Sequence, residues 1–146
     1  MITEDQKGTR RPELFEMINE IDKANSKQER VKLIKEFSQF MAFKDWLRCL
    51  FDDRIQFLLP EGRPPFTPAG ESPPSSWHKQ HLDLKYYVKG IGDNALNQLK
   101  REMRFIGLLE SIHPEDAILV VDAINKKHRT SLSKELVQES LPGLVE

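Results

Sequence analysis

The sequence lacks the residues and motifs that mark disulfide-linked, membrane-spanning and nucleotide-binding proteins. Its one cysteine, Cys49, excludes an internal disulfide and a cysteine-rich metal site, and fits a reducing compartment. No apolar run approaches the roughly 20 residues of a membrane-spanning helix, and the polar stretch MITEDQKGTRRPE is not a secretory signal. The P-loop and the GxGxxG and GxSxG motifs are also absent. We therefore expect an intracellular protein that does not contact the membrane.

An excess of charge of one sign is lacking too. The chain has 22 lysines and arginines against 23 aspartates and glutamates, for a net charge of −1. No overall field attracts a polyanion, so any affinity for nucleic acid must come from a local basic surface. The length of 146 residues, with 38% hydrophobic and 31% charged residues, suits a single domain with a buried core.

What the sequence does contain is a succession of helical patterns, with no convincing alternation at period two. Ser26-Lys-Gln-Glu29 is a capping-box pattern. Asp93 is a candidate N-cap for the longest helix, and His113-Pro114 is a strong helix start. The residues predicted to face inward are Leu14, Ile18 and Ile21; Val31, Ile34 and Phe37; Phe43, Trp46, Leu47 and Leu50; Leu96, Leu99, Met103, Ile106 and Leu109; and Ala117, Val120, Val121 and Ile124.

A proline-rich segment, FLLPEGRPPFTPAGESPPSSW, interrupts these helices near the middle of the chain and holds six of its nine prolines. Proline favours extended backbone and lowers the entropy lost on ordering, so a loop of this composition need not be mobile. We predict a non-helical loop over residues 60–76 that packs on the core through Phe66 and Trp77. The alternative is a polyproline-type ligand for a partner protein.

The predicted fold class is all-α, a single compact domain of about seven helices over residues 12–146 with this one long proline-rich loop. A polar tail, residues 1–11, precedes it. Pro12 suits the first turn of the first helix. After the loop, KQHLDLKYYVKG predicts a short helix closed by Gly90.

Few residues suggest chemistry. Asp52-Asp53 is a carboxylate pair, but sequence neighbours point apart on a helix, which favours a solvated or capping pair. His78 and His81 could hold a metal only with ligands from elsewhere, which favours a surface or helix-entry role. Gly90-Ile-Gly92 is too short a signal to predict phosphate binding. We therefore predict no catalytic, cofactor-binding or metal-binding residues, no small-molecule substrate, and a protein that is not an enzyme.

Basic residues concentrate near the end of the chain. The connector AINKKHRTSLSK holds Lys126, Lys127, Arg129 and Lys134, with the hydroxyls of Thr130 and Ser131. A final helix is predicted to follow Thr130 or Ser131 and to end at Pro142-Gly143. A helix N-terminus preceded by cations can hold a phosphate group through its free N–H groups. The alternative is a basic connector that stabilises the negative end of the preceding helix. Two further basic clusters are Lys100, Arg101 and Arg104, and Lys7, Arg10 and Arg11.

The order of these features resembles a known family. The stretches INEIDKANSKQERVKLIKEF and RIQFLLPEGRPP, then LKYYVKG, a helix entry at Asp93-Asn94-Ala95 and the ending LSKELVQESLPGLVE are similar to the helical DNA-binding domain of T-even-phage ATP-dependent DNA ligases. The resemblance covers nearly the whole chain. The chain also resembles small proteins of T-even-like phages that look like this domain standing alone.

The resemblance implies a module that binds double-stranded DNA across the minor groove, mainly through backbone contacts. It favours the phosphate interpretation of Lys126, Lys127, Arg129, Thr130, Ser131 and Lys134. The chain has no Lys-x-Asp-Gly, the adenylylation motif of that family, and so is not expected to act as a ligase. The alternative function is a repurposed domain that binds a phage or host protein during infection. Either version implies the host-cell cytoplasm.

Overall fold

The computed structural model describes residues 10–146 of the chain, and just over half of these residues are helical. The only β pairing among them is an isolated bridge between Phe57 and Val88. These features confirm the all-α prediction and the number of helices. The described elements are α1 (Leu14–Lys23), α2 (Lys27–Phe37), α3 (Met41–Phe51), α4 (Trp77–Gln80), a 3-10 helix (His81–Tyr86), α5 (Gln98–Ser111), α6 (Pro114–Ile124) and α7 (Lys134–Ser140).

Helix α3 lies at the centre of the fold and packs against α4 and α6. Its residues Phe43, Trp46 and Leu47 are fully buried. The indole N–H of Trp46 donates to the Leu119 carbonyl at 2.9 Å, and that of Trp77 donates to the Ala42 carbonyl at 2.9 Å. Both indoles therefore bury a large apolar surface without leaving their polar atom unpaired.

Four of the five predicted helix faces point inward as expected. The faces of α1, α3 and α6 are buried at every predicted position, while in α2 Ile34 is buried and the flanking Val31 and Phe37 are partly buried. The capping residues also agree. The Ser26 hydroxyl accepts from the Glu29 N–H, and the His113 ring accepts from the Glu115 N–H.

The prediction for α5 is wrong in both its start and its inward face. The N-cap is Asn97, whose side chain accepts from the Lys100 N–H, and not Asp93. The residues that face inward are Arg101, Phe105, Leu108 and Leu109. Leu99 and Met103, predicted to be core, are 69% and 62% exposed. Only Leu109 of the predicted stripe is buried.

Arg101 explains why α5 faces this way. Its side chain is almost fully buried, and its guanidinium donates to the carbonyls of Tyr86, Gly92 and Leu96 at 2.9–3.0 Å. These carbonyls belong to the last residue of the 3-10 helix and to the turns that follow it, so the cation lies among partial negative charges. A Cβ on Gly92 would come within 2.6 Å of the Tyr86 carbonyl, so this close approach requires glycine. Periodicity alone cannot detect a charged residue that faces the core.

The proline-rich loop is non-helical, as predicted, and it packs on the helices. Phe66 lies partly buried against the core. The Thr67 N–H donates to the Glu110 carboxylate at 2.7 Å, and the Ser75 N–H donates to the Ser111 carbonyl at 2.8 Å. The middle and the end of the loop are therefore held by residues of α5.

The predicted N-terminal tail lies mostly outside the described residues, which begin at residue 10. Arg10 forms an ion pair with Glu16 at 2.6 Å. The prediction that Pro12 lies in the first turn of the first helix is wrong. It precedes the N-cap Glu13, and α1 begins at Leu14.

A buried carboxyl group lies where α1 meets α6. Asp116 is fully buried in the first turn of α6, and its Oδ1 accepts from the Phe15 N–H at 2.7 Å. Its Oδ2 is buried without a hydrogen-bond partner among the described residues. Burial raises the pKa of Asp116 to about 7; the hydrogen bond from Phe15 opposes the rise and the nearby Glu13 carboxylate adds to it. The fold therefore favours the protonated form of Asp116 more than the unfolded chain does.

We expect Arg101→Met to lower the free energy of unfolding by about 3 kcal/mol, because the buried carbonyls that it serves would lose a charged donor. Arg104→Met on the same helix is the matched control. It removes an exposed pair with Asp83 and should cost about 1 kcal/mol or less. Urea unfolding followed by circular dichroism measures both values. Equal losses for the two variants would contradict the role given to Arg101.

We expect the contribution of Asp116 to stability to fall as pH rises from about 4 to about 7, by up to roughly 1.4 kcal/mol per pH unit. In this window folded Asp116 holds a proton that the unfolded chain has released, so folding is favoured at the acidic end. Asp116→Asn should flatten this part of the profile and raise the melting temperature at pH 7.5. Thermal melts between pH 4.5 and 7.5 measure it, and parallel profiles for the two proteins would refute it.

Candidate binding surfaces

The predicted phosphate-binding connector starts with a tight turn that ends α6. The Lys126 N–H donates to the Ala123 carbonyl and the Lys127 N–H to the Asp122 carbonyl, which is a Schellman motif. Lys126 has the left-handed φ of 56° that this motif usually gives to glycine.

Lys126 is not available as predicted, because its side chain caps α3. Its ammonium donates to the carbonyls of Cys49 and Asp52 at 2.5 and 3.0 Å. These carbonyls belong to the last turn and C-cap of α3. Burial lowers the pKa of Lys126, and the neighbouring Cys49, Asp52 and Asp53 oppose this. The connector thus stabilises the negative end of a helix, but that helix is α3 rather than the preceding one.

Thr130 and Ser131 do not begin the final helix, so the predicted phosphate site made of free helix N–H groups is not formed there. The N-cap of α7 is Ser133, whose hydroxyl accepts from the Leu136 N–H. The Ser131 N–H and hydroxyl both donate to Asp22, at 2.9 and 2.6 Å. The Leu132 N–H donates to the Thr130 hydroxyl at 3.2 Å. These groups hold the connector against α1.

The other predicted cations differ in how much of their charge is neutralised. Lys134 forms an ion pair with Asp53 at 2.7 Å. Arg129 is mostly exposed and pairs through Nε with Asp122 at 3.3 Å. Lys127 is exposed, and among residues 10–146 no carboxylate lies within ion-pair distance of it. Lys126 and Lys134 thus have partners within the fold, while Lys127 and Arg129 keep more of their charge available, and the phosphate-contact role of all four stays a prediction.

A cation that the sequence patterns missed lies beside these two. Arg63, in the proline-rich loop, lines a pocket of about 120 Å³ together with Lys127 and Arg129. Asn125 and Asp122 line the same pocket. We call Arg63, Lys127 and Arg129 the basic pocket. Arg63 is far from the connector in sequence, and no local signal links the two segments.

The second predicted basic cluster separates in the structure. Arg101 is buried, as described above. The Arg104 guanidinium pairs with Asp83 at 2.7 Å and lies 4.4 Å from the centre of the Tyr86 ring. Lys100 is exposed at the N-terminal end of α5. The third cluster, Lys7, Arg10 and Arg11, extends beyond the described residues.

The histidines and the carboxylate pair have structural partners. His81 Nδ1 lies 2.6 Å from Asp45 Oδ2, and His78 Nε2 lies 2.7 Å from the Pro12 carbonyl. Asp52 is the C-cap of α3 and binds Arg54, which confirms its capping role. Within residues 10–146, no three His, Cys, Asp or Glu side chains come together as metal ligands.

An exposed apolar surface lies on α5, opposite Arg101. Leu99, Met103 and Ile106 follow the i, i+4, i+7 spacing of one helix face; Leu99 and Met103 are exposed and Ile106 is partly buried. We call these three residues the outer face of α5. Lys100 lies beside it, and among the described residues no acid pairs with that lysine.

We expect Lys126→Met to lower the free energy of unfolding by about 2 kcal/mol, because two carbonyls at the end of α3 would lose a charged donor. Lys127→Met, the adjacent control, should change it by less than about 0.5 kcal/mol because that side chain is exposed. Urea denaturation of both variants gives the comparison. Equal stability of the two would show that the cap on α3 contributes nothing.

A family model matches residues 17–130, and its description is "Family of unknown function (DUF6433)". The match covers more than half of the chain, so the chain belongs to this family. No curated protein matches it. The family description does not mention ligases or DNA, and the resemblance to ligase domains therefore stays a prediction. None of the described helices has the length and apolar character needed to cross a membrane.

Proposed function

We propose that this member of the DUF6433 family is a protein-interaction module rather than an enzyme, and that it binds its partner through the outer face of α5. The observation that carries the proposal is the exposure of Leu99 and Met103, at 69% and 62%, on a helix whose inward face holds an arginine. Apolar residues adjacent on one exposed face are typical of binding surfaces.

The geometry of the outer face suits a helical partner. Leu99 and Ile106 are seven residues apart, about 10 Å along the helix axis, with Met103 between them. Such a ridge is recognised by an amphipathic helix that lays its own apolar stripe along it. Methionine is a flexible contact residue that adapts to different apolar surfaces.

Charge favours a partner whose helix is acidic along one flank. Lys100 borders the outer face and has no acidic partner among the described residues. A carboxylate on the partner would meet it at the rim, where complementary charge sets orientation and specificity. The occupant that we propose is therefore an amphipathic helix of another protein, with carboxylates beside its apolar stripe.

DNA binding is the second candidate function, with fewer available cations to support it than the sequence suggested. Two of the four predicted cations, Lys126 and Lys134, contact groups within the fold. Duplex binding depends on several phosphate contacts, and the described connector does not offer them alone. The basic pocket is the surface whose available cations support the DNA-binding hypothesis.

We expect the double variant Leu99→Asp, Met103→Asp to lose partner binding by about tenfold or more, equivalent to about 1.4 kcal/mol. The probe is a library of helical peptides selected against the wild-type protein. Enriched peptides should carry apolar side chains at i, i+4 and i+7 and carboxylates on one flank. Fluorescence anisotropy gives their affinities for both proteins.

Ile118→Asp is the control, because Ile118 is an exposed apolar residue on α6 outside the outer face. It should leave the affinity of the selected peptides within about twofold. Selected peptides that bind the double variant as tightly as wild type would refute the proposal.

Sedimentation equilibrium tests whether a second copy of the chain occupies the outer face of α5. Self-association abolished by the double variant would show that a second copy of the chain covers this face.

A further inference from the structure

We infer that the basic pocket, formed by Arg63, Lys127 and Arg129, binds a phosphate group. This site is separate from the outer face of α5. Its three cations come from two segments, the proline-rich loop and the α6–α7 connector, and they line one pocket of about 120 Å³. In the proposed site all three side chains contact one anion.

The loop is fixed to the connector at the pocket itself. The Gly62 N–H donates to Asn125 Oδ1 at 2.7 Å, and Asn125 Nδ2 donates back to the Gly62 carbonyl at 3.2 Å. Asn125 Nδ2 also donates to the Val121 carbonyl at 2.9 Å, which fixes the amide orientation. Gly62 has a φ of +90°, so a side chain there would strain the turn. Asn125 is therefore a positioning residue for Arg63.

The charges around the pocket leave a positive excess. Asp122 is the carboxylate among its lining residues, and it pairs with Arg129 through Nε. That contact leaves the terminal N–H groups of Arg129 available. The Arg63 guanidinium lies 4.8 Å from the centre of the Phe66 ring. Stacking of this kind fixes the plane of the guanidinium while its edge keeps its donors. Two guanidinium edges and one ammonium are the donors that phosphate oxygens prefer.

An open groove adjoins the pocket and gives room for the rest of a phosphate-bearing ligand. It has a volume of about 650 Å³ and shares Gly62, Asn125 and Lys127 with the pocket. Phe57 and Gln56 line it further along, and Glu61 is its carboxylate. A polynucleotide strand and a small phosphate compound share the same recognition chemistry at the pocket, and the experiment distinguishes them.

The test measures binding of a labelled DNA duplex by fluorescence anisotropy between about 50 and 200 mM salt, and competition by inorganic pyrophosphate. We expect Arg63→Gln, Lys127→Gln to weaken duplex binding about tenfold or more. The slope of log affinity against log salt should become shallower by about 0.9 for each phosphate that the variant no longer neutralises. Wild-type binding of pyrophosphate without duplex binding, abolished in the same variant, would assign the pocket to a small phosphate compound.

The matched control is Lys32→Gln, Lys35→Gln, which removes two exposed charges on α2. It should keep duplex affinity within about twofold. Equal weakening by both double variants would overturn the pocket, because net charge would then explain the effect. Absence of wild-type binding to duplex, to single-stranded DNA and to pyrophosphate near 50 mM salt would overturn it as well.

Asn125→Ala tests the positioning of Arg63 without a change in the charge of the pocket. It leaves the net charge unchanged and removes the hydrogen bonds that hold Gly62 beside the connector. We expect a weaker affinity, with a salt slope reduced by less than in Arg63→Gln, Lys127→Gln, because Lys127 and Arg129 still contact the phosphate. A variant with wild-type affinity and slope would contradict the positioning role of Asn125.

Discussion

The burial of the Arg101 guanidinium is the interaction on which the arrangement of the second half of the chain depends. A cation without a carboxylate partner is costly to bury, and here backbone carbonyls of the preceding turns surround it. Leu99 and Met103 are each two residues from Arg101, which places them on the opposite side of the helix. Once Arg101 faces the core, these two apolar residues must face solvent. The rotation of α5 and its exposed stripe therefore have one cause.

Contacts within the fold neutralise part of the connector's charge, so the connector has fewer available cations than its sequence suggests. Lys126 caps α3, Lys134 forms an ion pair with Asp53, and Arg129 forms an ion pair with Asp122 through its Nε. A lysine at the end of a helix satisfies carbonyls that would otherwise lie unpaired. The same residue type can therefore contribute to stability or to binding, and only the position of neighbouring helices decides between them. The basic pocket consists of the cations that this neutralisation leaves largely available.

The sequence predicted best where local rules act alone. The capping residues Ser26 and His113 and the inward faces of α1, α3 and α6 depend on helix periodicity and on contacts a few residues apart. The starts of α1, α5 and α7 were misplaced by a few residues, because several neighbouring residues suit a cap. The larger failures involve distant partners. Arg101 needs turns up to 15 residues earlier, and Ser131 meets Asp22 across 109 residues. Arg63 joins the pocket through Asn125, which is 63 residues from the Gly62 that it holds. No window of the length of one helix contains both members of the last two pairs.

The attachment of the proline-rich loop also bears on the order in which the protein folds. Its hydrogen-bond partners Glu110, Ser111 and Asn125 all lie later in the chain. Contacts of such long sequence separation form slowly, because the entropy of closing the intervening chain is lost first. The described hydrogen bonds of the loop therefore require α5 and the end of α6 to be in place. The basic pocket, which includes Arg63 of this loop, thus depends on the tertiary structure and is not a property of the connector alone.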